Sequence, residues 1–478
     1  MRADSLEVGR REFRSPVVGA IVPLFILLTV ATGAPNAFAQ SESPTTVSEA
    51  EAGDKVGASE TVSAKRSATI RFGIESEVLE LIKALGSEKE RRFDAGLLGL
   101  LDASRSPKLR TAILDFFKTG NVEEAESFAL GIIEKRDQEE AGLVFSALAY
   151  LAEIKSKKAL AFAPKLMEED DKRLLPAVLR LLGRSGGPEE EELLLTRLEG
   201  ETASEAIRLE AMRALGEIGS AKAVARLSKT AESPESAKME RIYACEALGK
   251  IKDPTAVTSL VKASNGDDPN VRAAAIEALG SFSGAEAENA LIEALRDPFP
   301  KSRIAAAKAV AVRGLSRAVP NLAYKAQSDP EKAVRNEAAR SLAALGGEEA
   351  WSLLKKLVGD RKREIAYRAL AFGLLARKDP KGSMPFLVER LKAEAAEKDR
   401  AFYTALSREL SAADDAIEAA PLARILLADK DYLFRIGGLE WARKTKSADI
   451  RPDLEAIAQN DPSDIVRKRA LEILAASK

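Results

Sequence analysis

Residues 268–280 read DPNVRAAAIEALG, with Asp268 and Arg272 close together near a glycine. A carboxylate beside a guanidinium could form a charged active site, and it could equally belong to a repeating scaffold. The rest of the chain offers this pair few chemical partners. There is no His among the 478 residues and one Cys, Cys245. That excludes His-based triads, His general bases, Cys/His zinc clusters and any intrachain disulfide. Carboxylate catalysis and oxygen-ligand metal binding stay formally open. Net charge is −1, with 31% charged residues in near balance, so charge predicts no nucleic-acid partner. The acidic run 189–192 and the mixed run 88–92 lack the glycines of a phosphate loop and the Asp spacing of a calcium loop.

What positions Asp268 and Arg272 emerges from self-similarity along the chain. With Arg272 as anchor, equivalent positions fall at Val78, Arg110, Ala141, Leu175, Arg208, Arg241, Arg303, Arg335, Arg363, Arg400, Arg435 and Arg467. Seven residues beyond them stand Leu85, Phe117, Leu148, Leu182, Leu215, Leu248, Leu279, Val310, Leu342, Leu370, Ala442 and Leu474; only the Arg400 unit departs, with Ser407. An active site occurs once, whereas this pair recurs, so Asp268 and Arg272 read as structural. Cys245 occupies a slot held elsewhere by Ile82, Met212 and Ile276, which predicts a buried thiol.

Each unit predicts two helices. In the first, Asp268 caps, Pro269 suits the opening turn, and Val271, Ala275, Ile276 and Leu279 share one face. Gly280 is expected to stop the helix in the left-handed conformation. A second helix follows, as in AEAENALIEAL (285–295) or AVPNLAYKA (318–326). Because no unit buries its own apolar face, neighbours must stack.

The pattern DPxVRxxAxxALG, followed by second helices of AVPxL type, resembles the HEAT repeat family over about 74–478. The likeness is to its short form in phycobilin lyase subunits. The resemblance implies an all-α, right-handed α-solenoid of about twelve helix pairs plus a terminal capping helix, here residues 69–478. It also implies an inter-repeat polar ladder, assigned to Asp268, Arg272, Asp297, Arg303, Asp329 and Arg335.

The N-terminus carries a different message. Arg2, Arg10, Arg11 and Arg14 precede an apolar run at 17–33, and small residues lead up to Ala39. This predicts a signal peptide over 1–39, cut after Ala39, and periplasmic or otherwise exported localisation. A retained membrane anchor is the competing reading, which Pro23 and the small-residue exit oppose. Export by the general route or the twin-arginine route stays open. Residues 40–68 are rich in Ser, Thr, Glu, Ala and Gly, and read as a disordered linker.

Function is sought where the repeat falters, at 324–407. In such solenoids the second helices line the concave side. Alignment there points Tyr324, Trp351 and Phe386 away from the core, with Lys355, Lys356 and Arg390 beside them. Exposed rings among cations suit a protein-binding groove. The expected function is an exported, non-enzymatic scaffold that binds an envelope protein or peptide, with no cofactor, no nucleic acid and no stable membrane insertion after signal cleavage. A chromophore lyase or isomerase subunit is the alternative.

Overall fold

The computed structural model describes residues 50–200, 203–411, 420–445 and 448–476, and every regular element among them is a helix. The signal peptide and cleavage point expected before residue 40 lie outside the described residues. Two compact units divide after Ser63. Residues 50–63 of the smaller unit are helical. In the larger unit, an opening helical turn leads to twelve helix pairs. These run from Glu75–Glu88 with Asp94–Ala103 to Tyr432–Thr445 with Arg451–Asn460, and the last helix is Asp464–Ala476. The described residues therefore form an all-α solenoid.

The linker expected at 40–68 is corrected by the helix Ala50–Phe72, although residues 40–49 lie outside the described residues. Apolar content alone misled here, because Ala, Glu, Lys and Arg favour helix without needing a wide apolar face. The end of this helix is anchored. Ile70 is buried against Gly96, and Arg66 donates two bonds to the Glu88 carboxylate, at 2.7 and 2.8 Å. Phe72, the last residue of this helix, is exposed.

The first helix of each pair follows the DPNVRAAAIEALG rule with one correction. Asp268 accepts from the Asn270 and Val271 amides at 2.8 and 3.1 Å, and Pro269 opens the helix. Gly280, however, is right-handed, at φ −58°. Its size matters for a different reason. A Cβ on Gly216 would lie 2.8 Å from the Ala247 Cα, one on Gly249 would lie 3.0 Å from the Ala278 Cα, and one on Gly280 would meet the Ala309 Cβ at 3.1 Å. The recurrent Ala-Leu-Gly thus lets neighbouring first helices touch backbone to backbone. Leu215, Leu248, Leu279 and Leu342 fill the core beside these contacts, each fully buried.

The structure also redraws the repeat. The fourth residue of each first helix is Val78, Arg110, Val144, Val178, Arg208, Arg241, Arg272, Arg303, Arg335, Arg368, Thr404, Arg435 and Arg467. Val144, Val178, Arg368 and Thr404 replace the anchors Ala141, Leu175, Arg363 and Arg400. The short interval before Arg363 vanishes. What remains irregular is one long second helix, Pro380–Ala396, with Pro385 inside it.

Candidate protein-binding surface

The charged pair that opened the question does not act as a pair. Asp268 caps its own helix and meets Lys238 at 3.2 Å, while Arg272 reaches forward to Asp297 in the next unit, at 2.8 and 3.1 Å. Its second nitrogen donates to the carbonyls of Gly266 and Asp267. Arg303 with Asp329, and Arg435 with Asp461, repeat this arrangement almost atom for atom. Each Asp also accepts a backbone N–H two residues ahead: Phe299, Glu331 and Ser463. Burial pushes these carboxyls up, but the guanidinium and amide donors outweigh it, and Asp297, Asp329 and Asp461 sit below the usual carboxylate range. The guanidiniums of Arg272 and Arg435 are raised in turn, chiefly by the same bonds. Every polar group in these rungs is satisfied and turned inward, which leaves them to join repeats.

Arg335 breaks the series. It keeps its bonds to the Asp329 and Pro330 carbonyls, yet among the described residues its only carboxylate is half-exposed Glu364, at 3.4 Å. Asp360 stands where the next rung's acid belongs, but it caps the Lys362 amide and pairs with Arg363.

The second-helix patch is not assembled as expected. Tyr324 is 63% exposed, with the Lys325 ammonium 5.8 Å from its ring centre. Trp351 and Phe386 instead pack, half-buried, against the core, and the Trp351 ring fills the space left by Gly346. Lys356 is exposed and Lys355 half-buried, while Arg390 turns along its own helix to Glu394 at 3.5 Å. The cleft beside Tyr324, about 440 Å³, is lined by Arg296, Pro320, Asn321 and Lys325, and neither Trp351 nor Phe386 reaches it. Outward alignment failed for these two rings because a bulky side chain beside a glycine or a long helix folds back onto apolar neighbours.

Exposed apolar side chains gather on the other row. Phe145, Met239, Val312, Ile365, Tyr432, Leu433 and Ile465 all project from first helices, whereas Tyr324 alone among the described second-helix residues is comparably exposed. Neighbouring first helices also run closer together than neighbouring second helices.

Along much of this first-helix face, charges close on one another between neighbours. Arg184 meets Glu153, Arg180 meets Glu210, Lys250 meets Glu217, and Arg377 meets Glu409. Between residues 270 and 312 the closure stops. There a groove of about 610 Å³ lies across the first helices Lys238–Ile251, Pro269–Leu279 and Pro300–Val312. Its floor includes Ile242, Ala274, Ile304 and Ala305, and Val312, 83% exposed, stands at one end. Ala273 and Ala274, from the stretch 268–280, line it with small side chains. Sequence reasoning passed over these residues because it searched for aromatics. The available signal was an aliphatic Ile304 and Val312 outside the core pattern.

A family model described as spirochaete HEAT repeat protein matches residues 70–473. The chain belongs to that family. This HEAT repeat protein has no match among curated proteins. Among solved structures it is similar to the complex of CpcE and CpcF of phycocyanin lyase from Nostoc sp. PCC7120, at 23% identity over 49% of this chain and 91% of that one, TM-score 0.30. It is also similar to importin beta, at 14% identity over 86% of this chain, TM-score 0.46, and spans 61% of that protein's length. Human deoxyhypusine hydroxylase matches at 21% identity over 52% of this chain and 96% of its own, TM-score 0.25.

Proposed function

We propose that this HEAT repeat protein is a non-catalytic scaffold for protein–protein interaction and that its first-helix face receives the partner. The observation that carries this reading is the concentration of exposed apolar side chains on that face, from Phe145 to Ile465. Rigid stacked helices can hold such side chains at fixed spacing, so a partner gains several contacts without ordering the scaffold first. The basic head, apolar run and small-residue exit at 1–39 support the further reading that the chain is exported and that its partner is an envelope protein. A chromophore-lyase role finds no support in the one thiol, since Cys245 is fully buried and burial pushes its pKa up to about 12.

Photo-crosslinking in the native host tests the scaffold reading. A cross-linker placed at Val312 or Leu433 is expected to yield discrete protein adducts, and one at Lys356 on the second-helix row is not. Equal adducts from both rows would overturn the assignment of the face. Export is tested separately by fusing the first residues to a reporter active only outside the cytoplasm, where a silent fusion would remove the envelope partner.

A further inference from the structure

The groove across Ile242, Ala274 and Ile304 has a chemistry of its own. Its floor is aliphatic, and its volume of about 610 Å³ suits a few side chains better than a folded domain. Two cations stand on one wall. Lys301 and Lys308 lie on a single helix, seven residues and therefore about 10 Å apart along its axis, and both are exposed. Glu277 lines the facing wall and is exposed too. Among the described residues none of the three has an ion-pair partner, although they border one groove. Charges elsewhere on the face do close, as Arg180 with Glu210 or Arg377 with Glu409. These lysines are thus unneutralised at the edge of an apolar trough.

Building on the scaffold reading, we infer that this groove docks a peptide segment carrying an aliphatic or aromatic side chain next to an acidic one. The apolar side chain enters between Ala274, Ile304 and Ala305, where it displaces water from a surface that the described residues leave half-exposed. The carboxylate meets Lys301 or Lys308, which fixes the segment's position along the trough. Glu277 repels a second acid on the opposite side and so sets the direction in which the peptide lies. Nucleic acid is disfavoured by the same arrangement, since Glu277 and the aliphatic floor oppose a phosphate backbone.

The test uses the full chain and a random-peptide display library as probe. The chain carries the natural residues, the single change Ile304→Asp, or the double change Lys301→Glu with Lys308→Glu. Circular dichroism and a thermal melt establish that each variant is folded; the lysines are exposed, so the double variant is the safeguard should Ile304→Asp destabilise the helix. Peptides enriched on the natural chain are expected to share an apolar residue beside Asp or Glu. Their affinity should fall about ten-fold or more in either variant, and changing the peptide's acid to Lys should restore binding to the double variant. Peptides without acidic bias, unmoved by the double change, would overturn the inference. So would peptides sensitive to Tyr324→Ala but not to Ile304→Asp, and in that case the scaffold reading survives with its site relocated. A library that enriches nothing also overturns the groove, while cross-linking from Leu433, outside it, decides the scaffold reading independently.

Discussion

Two stretches of one solenoid, 269–331 and 335–396, join their repeats with different quality. In the first, Arg272 and Arg303 each grip a buried Asp of the next unit and two carbonyls of their own loop. In the second, Arg335 meets half-exposed Glu364, and Arg368 reaches Glu394 at 3.4 Å while its Nε donates to the Val358 carbonyl. The difference is not a missing acid, because Asp360 lies 25 residues after Arg335, as Asp297 lies 25 after Arg272. A competing cation, Arg363, holds it. A rung therefore depends on the absence of rivals as much as on its own two residues.

The largest expected effect separates the two stretches directly. Asp329→Ala strands the buried Arg303 guanidinium and should cost about 3–5 kcal/mol, while Glu364→Ala at the exposed pair should cost about 1 kcal/mol or less. Urea denaturation of both variants reads the contrast, and equal losses would break it. Close packing gives the next effect. Gly216→Ala drives a methyl against the Ala247 backbone and should cost about 1–3 kcal/mol. Gly373→Ala meets only the side chains of Glu409 and Arg377, which can swing aside, and should cost clearly less. Thermal melts check the pair.

A smaller effect follows from titration. The folded Asp329 carboxyl lies below its unfolded value of about 3.9, burial raising it but the Arg303 and Glu331 donors lowering it more. Its contribution is therefore present above that unfolded value and is lost as pH falls through the folded one. Asp329→Asn should accordingly lose its stability deficit relative to the natural chain below about pH 4, whereas Asp360→Asn, whose carboxyl is also held low by the Lys362 amide and Arg363 but in a more open pair, should converge in the same direction by less. The smallest expected effect is at Tyr324. Tyr324→Ala should shift stability by no more than about 0.5 kcal/mol, against about 1–3 kcal/mol for half-buried Trp351→Ala.

The helical repeat, its two-helix unit and the number of pairs were all legible in the sequence. So were the Asp268 cap and the buried slot of Cys245, because each follows from local propensity and period. The exact register was not. Ala141 and Val144, or Leu175 and Val178, lie one helical turn apart on the same apolar face, so an alignment can slip by a turn and still read hydrophobic at every test position. Slipping onto Arg363 in place of Arg368 created an irregularity that the fold does not contain. Gly280 was misread because a glycine that admits a neighbouring backbone and one that ends a helix look alike in one dimension. The groove was hidden for a related reason. Ala273 and Ala274 belong to the repeat's own consensus, and only the spacing of three helices shows that their small side chains leave a trough.

The displaced Asp360 has a consequence for how the chain unfolds. Repeats lean on their nearest neighbours, so cooperativity is passed along the stack one junction at a time. Next to the Arg335 junction, Gly346 and Gly347 both take positive φ, at 71° and 93°, in the turn between the helices of that unit. A junction without a buried rung transmits less, and the chain should behave as two foldons divided there. In amide hydrogen exchange, protection of Ile365–Lys378 should fall at denaturant concentrations that leave Pro300–Val312 fully protected, so that the far end of the scaffold loosens while the groove side stays intact.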